Sequence, residues 1–501
     1  MEERSIETAY FSFRGETVGD YVVDDITNAD LALDSIFRRI DKTGSSLGQA
    51  TLYAWMRSPL SSSVRLEERL GPARWLEGHP AKRQAVRLAM RRLGMQKRGD
   101  MASELWGVPG TGYMRYKNWF HVWSLGSLAL IVASLISGAG PVFVILGVCI
   151  SNLLVFVRTN TYIGAHADSI RYLGRMIGAL RAVATIVPEG TGDARLDSLP
   201  RLVAVSRKIP VSSPLFGTSG SGISAAATAG DLVGMVVDYY RIFMLGELRA
   251  YFAFYTAFVR DRDAIVAMYA TLGAIDACAS IAELLSAGGV AKKASVSEAF
   301  AGIETEGMIH PLVEACVPVS FKNNKGMVIT GTNMSGKSTF LRSLGINMVL
   351  AGSLGLAFAS VFKAYPYRVI SSIDIDDDLI AGKSRYLAEA ERLLFIIRAC
   401  VAGRVLALVD EILSGTNSTD RISASIDILG HLRGTDSLIV AATHDLEIAD
   451  AMTGRYDAHH FSEKLDSGDF SFDYELKQGV VDRRNAILIL KRLGFGEFVR
   501  G

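Results

Sequence analysis

The chain has 501 residues, 49% of them hydrophobic, with 53 Lys and Arg against 52 Asp and Glu. That length is too great for one compact domain and points to about two to four. A net charge of +1 excludes a global field that would draw in nucleic acid. The four cysteines, Cys149, Cys278, Cys316 and Cys400, are too scattered for a disulfide framework or a metal cluster, and suit a reducing cytosol.

Near the start, Glu2, Glu3, Glu7, Glu16 and Asp20 interrupt any apolar run, so no signal peptide is expected there. Residues 82–98 hold seven basic side chains and no acidic one. Arg83, Arg87 and Arg91 fall at i, i+4 and i+8 on one predicted helix face. That face reads as solvated, as a phosphate-contacting surface, or as a cluster attracted to anionic lipid.

Across residues 118–157 there is no Asp, Glu, Lys or Arg. Two apolar runs, 120–136 and 142–157, flank the turn sequence Ser137-Gly-Ala-Gly-Pro141. Each run is about 17 residues long, at the lower edge of what spans a bilayer. Trp119 and Trp123 sit near one end, where amphipathic rings favour the interface. Arg115, Lys117 and Arg158 flank the pair on the same side, so both ends are expected in the cytosol. We expect a transmembrane helical hairpin over 118–158, with 119–157 in contact with the membrane. The alternatives are a buried hairpin or a hydrophobic dimer contact.

Residues 160–186 and 228–287 carry apolar side chains at three-to-four spacing and predict long packed helices. The Gly/Ser-rich stretch 217–224 lacks Lys and a preceding strand, and reads as a turn between helices. Further on, Gly331, Thr332, Asn333, Met334, Ser335, Gly336, Lys337, Ser338 and Thr339 fit G-x-x-x-x-G-K-[ST]. The short apolar run 326–330 before them reads as a buried strand, and 340–350 after them as a helix. Strand, glycine loop and helix form the context in which backbone N–H groups and the helix dipole hold phosphates. Lys337 then pairs with β- and γ-phosphate oxygens, and the Ser338 hydroxyl sits on Mg²⁺. Residues 404–411 form an apolar strand ending in Asp410 and Glu411. Asp410 is placed to hold the Mg²⁺ shell and Glu411 to orient or deprotonate a water, although an acidic pair after a strand also serves as a helix cap. A third strand, 438–443, places His444 just beyond its end as a γ-phosphate sensor. This half alternates strands and helices, which implies a largely parallel, covered sheet.

The loop from Thr330 to Thr339, with its Asn333-Met334 pair, resembles the nucleotide loop of the MutS family of DNA mismatch-repair ATPases. Asp376-Asp-Asp-Leu379, Gly382-Lys-Ser384 and Glu389 are similar to that family's composite-site loop. The run from Asp410 to Asp420, the Ala442-Thr-His444 triplet and His310-Pro311 resemble its other ATPase motifs. Residues 36–60 resemble the start of its core domain, and 272–283 the helix returning from its lever arm. The tail is similar too, with an alternating strand at 470–476, a turn at Gly479 and a helix at 485–493. The resemblance implies a mixed fold: an α-helical core and lever region followed by an α/β P-loop (ABC-type) ATPase domain. It implies ATP and Mg²⁺ as ligands, and a homodimer with composite ATP sites in which Ser384 reaches the nucleotide bound by the other chain. It also implies DNA as a partner. The divisions expected are 1–30, a core-like 31–117, the hairpin 118–158, lever and core helices 159–304, and the ATPase domain 305–501.

The chain departs from that family in specific places. About 30 residues precede the core-like segment, which leaves no room for a mismatch-binding or connector domain, and no Phe-x-Glu stands near the start. Thr332 and Ser335 replace the family's usual Pro and Gly, and no aromatic can be assigned to adenine stacking. The expectation is a MutS-like ATPase tied to DNA repair or recombination but not a standard mismatch reader. The alternative is a membrane-anchored ATPase, with its motor domain in the cytoplasm, acting on a protein or lipid.

Overall fold

A computed structural model describes residues 19–96, 101, 105, 116–138, 141–188, 190–209, 246–289, 291–332, 335–374, 385–466 and 469–480. Outside them lie Asn333, Met334, Ser384, the rest of the 376–384 loop, the 217–224 stretch and the 485–493 helix expected above. The described residues form two compact units. One is drawn from Thr43–Leu52 and Pro72–Ala279, the other from Thr17–Lys42, Tyr53–Gly71 and Ser280–Gly501.

The helices, in chain order, are α1 (Asp25–Asp30), α2 (Leu33–Ile40), α3 (Ser46–Arg57), α4 (Ser63–Arg69), α5 (Gly71–Glu77), α6 (Pro80–Leu93), α7 (Lys117–Ser137), α8 (Pro141–Ile186), α9 (Ala194–Asp197), α10 (Leu199–Ser206), α11 (Gly246–Arg260) and α12 (Arg262–Ser286). In the first unit α6 opens on Pro80 at a position whose N–H is unpaired anyway, and stops at Gly94, whose backbone φ of 73° suits glycine. Its buried stripe of Val86, Ala89, Met90 and Leu93 has helical spacing and packs on α8. Arg83 is buried in the same stripe and Arg87 is half-buried, while Arg91 is exposed. The shared basic face read from the i, i+4, i+8 spacing is therefore corrected: packing against α8 turns its first member inward, so the three do not present one open surface.

The start of α3 is held by a single buried carboxylate. Asp276 accepts hydrogen bonds from Gly44 N (3.1 Å), Ser45 N (3.0 Å) and Ser45 Oγ (2.5 Å). A Cβ at Gly48 would stand 2.1 Å from Asp276 Oδ2, so only glycine permits this approach. Asp276→Ala leaves these buried donors unpaired, and we expect it to cost about 3 kcal/mol, read as a lowered midpoint in denaturant unfolding.

The second unit is built on a six-stranded sheet. Its strands are β5 (Met327–Thr330), β8 (Arg368–Ser372), β9 (Val405–Asp410), β10 (Leu438–Thr443), β11 (Asp457–His460) and β14 (Lys477–Gln478), in the order β14-β11-β5-β10-β9-β8. All neighbours are parallel except the β14–β11 edge pair. The remaining strands are β1 (Ala291–Lys293), β2 (Ser295–Val296), β3 (Ile303–Met308), β4 (Val319–Asn323), β6 (Leu356–Phe358), β7 (Val361–Ala364), β12 (Glu463–Asp466) and β13 (Asp469–Phe472). They make a four-stranded sheet, β2-β7-β3-β4, and two separate pairs. The 470–476 strand expected from alternation is thus shortened: β13 ends at Phe472 and closes a hairpin with β12, while β14 lies beyond 476 and joins the large sheet.

Every residue of β5 and β10, and all of β9 but Asp410, is buried. A parallel sheet covered on both faces requires such continuous apolar runs. Helix α13 (Lys337–Leu354) is buried along almost its whole length. Helices α14 (Arg385–Ala402), α15 (Ser418–Leu432) and α16 (Leu446–Ala451) contribute Leu393, Ile396, Leu429, Leu432 and Ile448 to a core shared with Val405, Ala407 and Ile439 of the sheet. The N-terminal α1 docks on β8 through polar contacts. The Asp30 carboxylate accepts from Ser371 Oγ at 2.6 Å, Ile373 N at 3.0 Å and Asp374 N at 3.1 Å. Arg392 joins them, donating to Thr27 Oγ1 (2.8 Å) and Ser371 O (2.7 Å).

Candidate functional site

Strands β5, β10 and β9 lie side by side, so their carboxyl ends at Thr330, Thr443 and Asp410 meet at one edge. Crevices at such ends are where open α/β sheets bind ligands. The loop that leaves β5 turns directly into α13. Gly336 caps that helix with a backbone φ of 108°, a conformation that disfavours any side chain. A Cβ there would also stand 3.2 Å from Tyr474 Cδ1.

Lys337, the first residue of α13, is buried, and its Nζ donates to Gly331 O and Thr332 O at 2.8 Å each. Burial lowers its pKa, opposed by the negative charges of Asp410 and Glu411. Ser338 Oγ donates to Asp410 Oδ2 across the gap between α13 and β9. Burial pushes the Asp410 carboxyl above the usual carboxylate range, against the hydrogen bond from Ser338 and the charge of Lys337. Ser335 is buried, and its hydroxyl has no hydrogen-bond partner among the described residues.

Glu411 follows with a backbone φ of 55°, and its N–H donates to Ala442 O at 3.0 Å. This left-handed turn directs the chain away from the sheet just where the second acid stands. Glu411 Oε1 lies 3.0 Å from His444 Nδ1. On the other side of the ring, Arg421 Nη2 is 3.5 Å from His444 Nε2, and Arg421 forms a two-pronged ion pair with Asp445 at 2.8 and 3.0 Å. An arginine donor facing Nε2 suits the tautomer with its hydrogen on Nδ1, from which His444 donates a hydrogen bond to the Glu411 carboxylate. Glu389 is buried and holds the loop after β9, accepting from Ser414 Oγ at 2.5 Å and Gly415 N at 3.1 Å.

A cavity of 630 Å³ opens over Lys337, Ser338, Asp410 and Glu411. Its far wall is apolar, made by Val313, Cys316, Val317 and Val319, with Phe461 and Tyr474 flanking the glycine loop. His310 shapes that wall: its Nδ1 accepts from Leu312 N at 3.2 Å, and its own N–H donates to Cys316 Sγ. Burial lowers the His310 pKa, which suits a ring nitrogen acting as an acceptor.

Of the residues singled out from sequence, the structure gathers Gly331, Thr332, Ser335, Gly336, Lys337, Ser338, Asp410, Glu411 and His444, with Thr339 also lining the cavity. Asn333, Met334 and Ser384 lie outside the described residues. Arg421, Asp445, Phe461 and Tyr474 were not assigned a role from sequence. The one signal for the last was its place in a strand pattern just before Gly479.

Fold and site together define a parallel α/β domain with a glycine loop, an acid-tipped strand and a histidine gathered at the strand ends. Residues 327–499 match the model of MutS domain V. The chain is 28% identical over 271 residues to DNA mismatch repair protein MutS 2 of Halobacterium salinarum, covering 50% of this chain and 31% of that one. It is 29% identical over 210 residues to DNA mismatch repair protein MutS of Natronomonas pharaonis, covering 40% and 24%. It is also 31% identical over 196 residues to Endonuclease MutS2 of Thermus thermophilus, covering 38% and 26%. These matches support a MutS-family protein, with residues 327–499 corresponding to its domain V. The aligned part spans less than a third of the length of these relatives.

Proposed function

We propose that this chain binds ATP with Mg²⁺ and hydrolyses it. The observation that carries this reading is the contact of the Ser338 hydroxyl with the half-buried Asp410 carboxylate, beside the Lys337 ammonium and under an open cavity. A hydroxyl and a carboxylate oxygen in contact fit a hard divalent cation. Ser338 and Asp410 would hold Mg²⁺, which when bound neutralises charge on the phosphate oxygens. Residues 331–339, with Lys337 foremost, hold the phosphates, and the helix dipole of α13 supports them. The apolar wall of Val317 and Val319, with Tyr474 opposite, offers a slot for a base. Glu411 orients and deprotonates the attacking water, while His444, itself held by Arg421 and Asp445, fixes the Glu411 carboxylate and reports on the γ-phosphate. Phosphate release by the purified chain, with and without Mg²⁺, tests this; turnover that survives chelation would sink it.

The active unit in this reading is a homodimer whose composite sites each take Ser384 from the other subunit. Mixing Lys337→Ala with Ser384→Ala chains is then expected to restore turnover, because a mixed dimer keeps one site with both residues intact. Two inactive variants that stay inactive when mixed count against shared sites.

The work done by hydrolysis is opening and closing of the dimer on DNA, in repair or recombination and not as a standard mismatch reader. Support comes from the relatives, which are DNA mismatch repair proteins and an endonuclease. The partly buried Arg83 and Arg87 offer no support for a DNA face on α6. Salt-titrated binding to duplex, mismatched and junction DNA, with and without ATP, decides the matter. An absence of specific affinity on all three would favour the membrane-anchored ATPase, its nucleotide domain facing the cytosol.

A further inference from the structure

The α7–α8 hairpin is packed inside out. In a water-soluble helix pair apolar side chains meet and polar ones face solvent. The residues buried on α7 are Phe120, Ser124, Ser127 and Ser134. Those facing outward include Val122, Leu125, Leu135 and Ile136, exposed by 70%, 60%, 58% and 82%. Among the described residues in the hairpin part of α8, Val148 and Asn152 are buried, while Phe143 is 81% exposed. The Asn152 amide oxygen accepts from Trp123 Nε1 at 2.9 Å, closing a polar contact between the two helices. Polar groups that satisfy one another inside, under an apolar exterior, suit a hydrocarbon solvent.

Burial separates this pair from an ordinary core helix. Helix α12 is also long and apolar enough to cross a membrane, but its apolar window is 72% buried, against 22% for α7. The 21 residues of α7 rise about 31 Å, which matches a hydrocarbon core of about 30 Å. The Trp123–Asn152 bond sets the register. Six residues outward from each partner stand Lys117 and Arg158, level with one another at the same end. Trp119 and Trp123 stack near that end, with ring centroids 5.2 Å apart, where an interfacial belt belongs. The exposed apolar positions of α7 spread around more than half of its circumference. A second copy of the chain covers one stripe of such a helix, whereas lipid covers all of it.

We propose that the α7–α8 hairpin inserts into a lipid bilayer, with both ends leaving on one face and the turn at Gly138 near the other. This does not depend on the ATPase reading. The full chain, incubated with phosphatidylcholine–phosphatidylglycerol vesicles, is expected to float with them in a density gradient and to stay bound through high salt and alkaline carbonate. Leu125→Asp combined with Leu146→Asp, both at exposed positions, is expected to lower the floated fraction about tenfold or more, with helical content by circular dichroism unchanged. Wild-type chain left unbound, or extracted by alkali, overturns the proposal. A soluble dimer with the hairpin covered by its copy does so too, as does flotation of the double variant equal to wild type.

Discussion

Lys337→Ala abolishes ATP turnover, by at least about a thousandfold, and weakens ATP binding as well. The reason lies in the local geometry. The ammonium is buried and spans back to Gly331 O and Thr332 O, so it braces the glycine loop even without nucleotide. On binding it must exchange those carbonyls for phosphate oxygens, whose negative charge nothing else at the helix start neutralises so closely. Alanine removes the charge and takes one donor from each of the two carbonyls. Burial lowers the Lys337 pKa while Asp410 and Glu411 raise it, so the acids at the end of β9 help to keep the group protonated. Arginine is not a rescue, because a planar guanidinium does not fit the space of a buried ammonium and cannot point along the same axis. Phosphate release and titration with a fluorescent nucleotide check both parts. Turnover within tenfold of wild type would remove Lys337 from the site.

Glu411→Ala binds ATP with little change but stalls before hydrolysis, with turnover reduced about 10²- to 10⁴-fold. The carboxylate is held on two sides: its backbone by the bond to Ala442 O, and its side chain by His444. Among the described residues it makes no side-chain hydrogen bond with Lys337 or with the Ser338–Asp410 pair, and only its charge acts on Lys337, so its loss leaves most of the phosphate contacts in place. Glu411→Gln keeps the size and the turn at φ 55°, and is expected to fail equally, because the amide cannot take a proton. His444→Ala loses less, since it frees the carboxylate without removing it. Single-turnover kinetics separate these cases. Normal turnover in Glu411→Ala would mean that another group activates the water.

The parts of this fold that were legible in the sequence share one physical trait. Strands β5, β9 and β10 are buried on both faces, so they appear as unbroken apolar runs, and each leads into or ends at residues of the site. The glycine loop was legible because its backbone needs φ values that few residues adopt. The neighbour order was not legible: β10 lies between β5 and β9, and only this crossover brings Glu411 within reach of His444. The Arg421–Asp445 pair and Tyr474 were missed because each reaches the site from a separate element, with no local spacing to mark it. Arg83 shows the reverse error, since a helical period is the same whether a face meets water or another helix.

By itself the sequence determined the nucleotide-type loop, the acids and histidine that accompany it, and a charge-free hairpin flanked by basic residues. These are local properties of backbone conformation, run length and charge. The tertiary structure decided which side chains touch: Ser338 with Asp410, Glu411 with His444, and Tyr474 with the loop. It also decided that Ser124, Ser127, Ser134 and Asn152 of the hairpin face inward while Val122, Leu125, Leu135 and Ile136 face out. Direction of burial is settled by packing between elements distant in the chain, and a one-dimensional pattern holds no record of it.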